Sequence, residues 1–195
     1  MNIDFYFDFI SPYSYLAVTQ ISNFEKQHGI TFNWIPLSLP RLFQLSGNTS
    51  PAAVKNKAIY SLRDLNRWAT YLDVPFIMIR PGSFDSRPAL RIATALQGRD
   101  RSHFCQQVFE CLWSGEVDPT SEDWLDQVFH IRQLPADYRK LCSESFEDHS
   151  HAAFKAGTFG VPTFILEKEG RPQMFFGIDH MDFLARACQQ VNTKG

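Results

Sequence analysis

Residues 4–17 read Asp4-Phe5-Tyr6-Phe7-Asp8-Phe9-Ile10-Ser11-Pro12-Tyr13-Ser14-Tyr15-Leu16-Ala17. Asp4 to Ile10 reads as a strand that runs straight into a helix start. Ser11 is a preferred N-cap, and Pro12 suits the first helical position, where its missing N–H would lack a partner in any case. An amphipathic helix continues from there to about Gly29. Such a helix end, placed at the C-terminal end of a first strand, offers free N–H groups and a partial positive charge. It is therefore suited to an anion, and a thiolate is one.

Gly157-Thr158-Phe159-Gly160-Val161-Pro162-Thr163-Phe164-Ile165-Leu166 places a proline directly before an apolar, β-rich run. Proline is tolerated at the first residue of a strand, and cis peptide bonds are largely confined to it. A cis Val161-Pro162 bond is expected, facing the start of the first helix and turning the Val161 N–H and C=O outward toward an extended peptide. Glu169-Gly170-Arg171-Pro172 signals a hairpin, Gln173 to Gly177 a further strand, and Asp179 an N-cap for a helix from His180 to Val191. Strand, helix, strand, then proline-led strand, hairpin and terminal helix is the order of the thioredoxin fold. Thiol-redox proteins of that fold carry Cys-x-x-Cys at the first helix start, where the thiol pKa falls. Here Ser11 and Ser14 hold both positions, so the anion-stabilising end is kept and electron cycling is excluded.

The segments DFYFDFISPYSYLA (4–17), GTFGVPTF (157–164) and FFGIDHMDFL (175–184) resemble the 2-hydroxychromene-2-carboxylate isomerase family. That family is similar to the kappa-class glutathione transferases and, more distantly, to the bacterial periplasmic disulfide oxidoreductases. The resemblance spans nearly the whole chain, because Ser46-Gly47-Asn48 ahead of Pro51 and the run Lys57 to Leu65 also fit. It implies glutathione as the cofactor and Ser11 as the catalytic residue, its hydroxyl beside the cofactor sulfur. Val161, at the Pro162 junction, would hold the cysteinyl unit by strand-like hydrogen bonds. The N–H groups of Ile178 and Asp179 would meet the γ-glutamyl carboxylate, and the Asp179 side chain its ammonium. Asn48 and Lys57 would close over tripeptide and substrate, Lys57 as a point charge for a carboxylate.

The implied reaction interconverts aromatic hemiketals of the 2-hydroxychromene-2-carboxylate type with enones of the trans-o-hydroxybenzylidenepyruvate type. Reversible thiolate addition would carry it. A homodimer follows from the resemblance alone. Two other readings stay open, a kappa-like glutathione transferase and a non-catalytic thioredoxin-like module that binds thiols or peptides. The chain departs from the family where Ile178 and His180 flank Asp179, in place of a side-chain donor and a permanent cation. Each site residue also has a plain structural role available. Ser11 and Asp179 are possible helix caps, Ser14 a structural serine, Asn48 a turn residue after glycine and Lys57 a solvated helix lysine. Tyr13 and Tyr15 read as packing residues and Asp64 as a support that pairs with Lys57, Arg63 or Arg67.

At 195 residues, with 44% hydrophobic and 14% aromatic content, the chain has ample material for one core. The net charge of −2 argues against a dedicated nucleic-acid or acidic-membrane binder. No apolar run reaches the length of a membrane span, and the acidic Asp4 and Asp8 break any secretory signal, so a cytoplasmic protein is expected. Cys105, Cys111, Cys142 and Cys188 fit neither Cys-x-x-Cys nor a metal-ligand spacing and read as reduced structural thiols. His103, His149 and His151 complete no tetrahedral set, and no metal is expected.

The expected fold class is α/β, a thioredoxin-like domain of residues 1–37 and 157–195 with an all-helical insertion, 38–156, between the second strand and the proline-led strand. Within the insertion, apolar steps of three and four predict helices over Ala52–Tyr71, Pro88–Gln97, Ser102–Ser114 and Asp126–Ile131. Two more are predicted over Asp137–Ser145 and Phe146–Lys155. The block should pack on the sheet and leave a groove at the Ser11 end.

Overall fold

A computed structural model of the chain describes residues 2–168 and 170–192. Strand β1 (Asn2–Phe7), helix α1 (Pro12–His28) and strand β2 (Thr31–Pro36) open the fold, with β1 and β2 parallel and Phe5 beside Trp34. Then come α2 (Leu39–Ser46), α3 (Lys55–Leu72), α4 (Arg87–Ala95), α5 (Gly98–Ser114), α6 (Trp124–Ile131) and α7 (Phe146–Lys155). The antiparallel hairpin β3 (Thr163–Lys168) and β4 (Arg171–Phe176) and helix α8 (Met181–Asn192) close it, giving the sheet order β2-β1-β3-β4. Pro172 is accommodated because β4 is an edge strand. This is the thioredoxin-like arrangement with a helical insertion. Glu169 of the predicted hairpin turn lies outside the described residues.

Alternation along β1 sends side chains to both faces of the sheet. On one face the Phe5 ring stacks on Phe164 of β3 at 5.2 Å and meets Trp34 edge-on at 5.1 Å, while Phe7 reaches Phe109 of α5 at 5.7 Å. On the other, Tyr6 packs with Leu37, Leu42, Ala153, Val161 and Ile165 beneath α2 and α7. Burying each such aromatic side chain contributes roughly 2–3 kcal/mol. The main core runs without a break from the strands into α4 and α5. Sheet and helical block therefore share one interior.

Four local expectations are corrected. Strand β1 stops at Phe7 instead of Ile10, because Asp8 turns its carboxylate inward and the Ser11 N–H closes a turn on the Asp8 carbonyl at 3.1 Å. Helix α3 starts at Lys55, after a short 3-10 turn over Pro51–Ala53 whose cap is the Ser50 hydroxyl. Of Asp137–Ser145 only Ala136–Lys140 coils, as a 3-10 turn; Leu141 is extended and the Ser143 N–H goes to the Arg91 carbonyl at 3.2 Å. Asp179 does not cap α8: it sits within a 3-10 turn, Ile178–His180, that precedes the helix.

Candidate active site

Ser11 caps α1. Its hydroxyl accepts from the Ser14 N–H at 3.1 Å and donates to the Val161 carbonyl at 3.4 Å, and the residue is 4% exposed. The first turn of α1 itself carries no acidic side chain. One turn in, Ser14 is fully buried and its hydroxyl has no partner among the described residues.

Opposite Ser11 stands the loop into β3. The Val161-Pro162 bond is cis. The loop is held from several sides: Thr163 Oγ1 donates to the Gly160 carbonyl at 2.7 Å, the Gly177 N–H to the Pro162 carbonyl at 2.9 Å, and Asn48 Nδ2 to the Phe159 carbonyl at 3.0 Å. Asn48 comes directly after Gly47, which ends α2, and thereby ties that helix to the proline loop. The Phe176 ring packs on Phe159, centroids 4.6 Å apart, and a Cβ at Gly160 would stand 2.9 Å from it. Contrary to the outward orientation expected, the Val161 carbonyl is engaged by Ser11. At 3.4 Å that bond lies beyond the usual range and is weak, so a better acceptor exchanges for it at little cost.

Ile178 is buried in the core, leaving only its backbone for binding, whereas the Asp179 side chain is 64% exposed. Gly177 has φ 89°, and any Cβ there would collide with Asp179 Oδ1, so the glycine is what lets this carboxylate fold back. His180 Nδ1 lies 3.4 Å from Asp179 Oδ2 without hydrogen-bond geometry. Ile178 and Asp179 line a cleft of about 610 Å³ together with Gln20 and Asn23 of α1 and Asp64, Arg67 and Trp68 of α3. This cleft lies along the C-terminal half of α1, past the turn that carries Ser11 and its contact with Val161.

Lys57 is exposed on the first turn of α3 and makes no hydrogen bond or ion pair among the described residues. It shares a helix face, at i and i+7, with Asp64, which accepts from the Tyr13 phenol at 3.0 Å. Burial, reinforced by Asp64, holds that phenol above its ordinary pKa. The second tyrosine, Tyr15, donates to the Pro75 carbonyl at 2.6 Å. Ser11, Val161, Pro162 and Asn48 are thus linked by hydrogen bonds or along the chain, Ile178 and Asp179 flank a separate cleft, and Lys57 stands apart.

In the sequence Asp8 is only a charge that interrupts an apolar run. In the structure it is 0% exposed, and burial raises its carboxyl to a pKa of about 6 against the donors around it. The signal available was an acid at the end of an aromatic strand, three residues before the cap.

Fold and site together define the class. The chain belongs to the DSBA-like thioredoxin domain family, whose model matches residues 2–189. Within that family it is similar to 2-hydroxychromene-2-carboxylate isomerase of Pseudomonas putida, at 30% identity over 97% of each chain. It is also similar to the enzyme of the same name from Sphingobium xenophagum, 29% identical over 94% of this chain and 95% of that one. A solved 2-hydroxychromene-2-carboxylate isomerase superposes with a TM-score of 0.83 at 26% identity, covering 100% of this chain and 97% of the other. These relatives make the chain an enzyme of the isomerase type. Glutathione S-transferase kappa 1 of Caenorhabditis elegans is 27% identical over 97% of this chain and 91% of that one.

Proposed function

We propose that this protein is a glutathione-dependent isomerase acting on aromatic hemiketal and enone carboxylates of the 2-hydroxychromene-2-carboxylate type. The observation that carries the reading is the Ser11 hydroxyl at the N-terminus of α1, weakly held 3.4 Å from the Val161 carbonyl, with serine where a redox pair would have cysteine. The names of the relatives support the reaction class, and the kappa transferase among them supports glutathione.

The residues present fit that cofactor. Val161 offers backbone to an extended peptide, Asp179 an exposed carboxylate to an ammonium, and Ser11 with the α1 N–H groups an anion site. When bound, glutathione supplies a thiolate whose addition to the conjugated enone makes the double bond single, permits rotation and is reversed by loss of the same thiolate. Ser11 then turns its hydroxyl proton from Val161 to the sulfur. The α1 terminus adds its partial charge, each pKa unit of thiol acidification being worth about 1.4 kcal/mol. Lys57 meets the substrate carboxylate, and Asn48 keeps the Phe159–Val161 backbone in place. A cytoplasmic homodimer belongs to the same proposal.

The test follows enone geometry by absorbance while free thiol is titrated. Isomerisation with thiol conserved supports the proposal. One thiol consumed per product makes the protein a transferase, and glutathione binding without either change makes it a binding module.

A further inference from the structure

We propose that Asp8 is the positioning residue for Ser11, its carboxylate holding the turn that presents the serine and tying that turn to the helical block. Four hydrogen bonds converge on this one buried residue. Asp8 Oδ1 accepts from the Ser86 hydroxyl at 2.7 Å and the Ile10 N–H at 3.3 Å, and Oδ2 from the Leu39 N–H at 2.8 Å. The Asp8 carbonyl accepts the Ser11 N–H at 3.1 Å. Leu39 is the first residue of α2 and Ser86 the residue before α4, so two helix starts and the catalytic turn meet at a single carboxylate.

Among the described residues no cation pairs with that carboxylate. On the elements packed around it, Arg41 is half-buried and meets Gln44 and His151, Arg87 pairs with Asp85, Arg91 with Glu144, Asp4 takes Asn33 and His149 takes the Pro36 carbonyl. The charge is held by donors and by the N-terminal ends of α2 and α4. Two of the three donors to the side chain are backbone N–H groups, which cannot reverse. The NH₂ of an asparagine therefore faces one of them and pushes Leu39 or Ile10 away, and a proton on the carboxylate weakens both bonds by removing the charge that assists them. Because burial raises the Asp8 pKa to about 6, the turn is sensitive just below neutral pH.

Trp113 supplies a readout free of glutathione, since its indole Nε1–H donates to the carbonyl of Phe9, inside the same turn, at 3.1 Å. The ¹⁵N–¹H indole peak, assigned with Trp113→Phe, should titrate with a midpoint of about 6. Asp8→Asn should abolish that midpoint and lower kcat about tenfold with glutathione affinity nearly kept. Ser86→Ala, which takes one donor from the anion, should move the midpoint upward. A wild-type indole peak that stays flat, a midpoint unmoved in Ser86→Ala, or wild-type turnover in Asp8→Asn overturns the proposal. Its turnover arm rests on the isomerase reading. Should the wild-type protein convert no enone, that reading falls and the indole titration alone decides the role of Asp8.

Discussion

The Ser11 hydroxyl and the Val161 carbonyl, 150 positions apart in the chain, are joined by a hydrogen bond of 3.4 Å. Two segments from opposite ends of the sequence thus meet at the positive end of one helix. The same hydroxyl also caps that helix by accepting from Ser14, so structural and chemical roles fall on one atom.

Ser11→Ala separates the two roles. Loss of the cap should cost about 1 kcal/mol of stability. Loss of a preorganised donor at a developing anion should cut turnover roughly 10- to 1000-fold. Thermal melts and initial rates on the one variant decide between them, and unchanged turnover with a lowered melting temperature leaves Ser11 as a cap only. Ser11→Cys, treated with oxidised glutathione, should give a mixed disulfide visible by mass spectrometry.

Asn48→Ala removes the tether from α2 to the Phe159 carbonyl. The bond is exposed, so stability should change by no more than about 1 kcal/mol. The loop that holds the thiol peptide loosens, and KM for glutathione should rise roughly fivefold, the equivalent of one such bond. An unchanged KM would show that Asn48 is only a turn residue.

Gly160→Ala places a methyl 2.9 Å from Cε2 and 3.3 Å from Cζ of Phe176. The ring must leave Phe159, at a cost of about 1–2 kcal/mol. In the Phe176→Ala background the same substitution should be nearly neutral, because the clash has no partner. Denaturant titrations of the four proteins in that cycle measure the coupling.

Lys57→Gln should leave the melting temperature within a degree or two, since the ammonium is exposed and unpaired among the described residues. If Lys57 meets the substrate carboxylate, KM for the enone should rise while KM for glutathione stays fixed. A rise in both, or in neither, removes it from the substrate site.

Asp8 makes stability depend on pH in an unusual direction. Its pKa rises from 3.8 to about 6 on folding, so the folded protein binds a proton that the unfolded chain releases. This contribution is fully present below 3.8 and is lost as pH rises through about 6. Its span is on the order of 3 kcal/mol. Asp85, held low chiefly by its hydrogen bond to Arg87, acts in the opposite sense, stabilising above the ordinary carboxylate range and losing that as pH falls. The difference in melting temperature, Asp8→Asn minus wild type, should therefore increase between pH 4 and 7. A constant difference would show that Asp8 does not titrate in that range.

Much of this molecule was written in short-range chemistry. Ser11-Pro12 favours a helix start, because a hydroxyl cap and a pre-set φ act within one turn. Thr31–Pro36 and Phe146–Lys155 formed where their patterns said, since the apolar period of a strand or helix is a local property. The order of those elements, with a proline opening β3, was enough to name the thioredoxin-like fold. What folding alone decided depends on partners far along the chain. Whether Asp8 is a surface charge or a buried hub rests on Leu39 and Ser86, 31 and 78 residues away. Asn48 became a tether only when Phe159, 111 residues on, came to rest beside it. The cleft beside Asp179 and Asp64 exists only because α1, α3 and the turn before α8, far apart in the chain, pack side by side. Local sequence sets the conformation a segment prefers; burial, pKa and the company of a side chain belong to the three-dimensional packing that brings distant segments together.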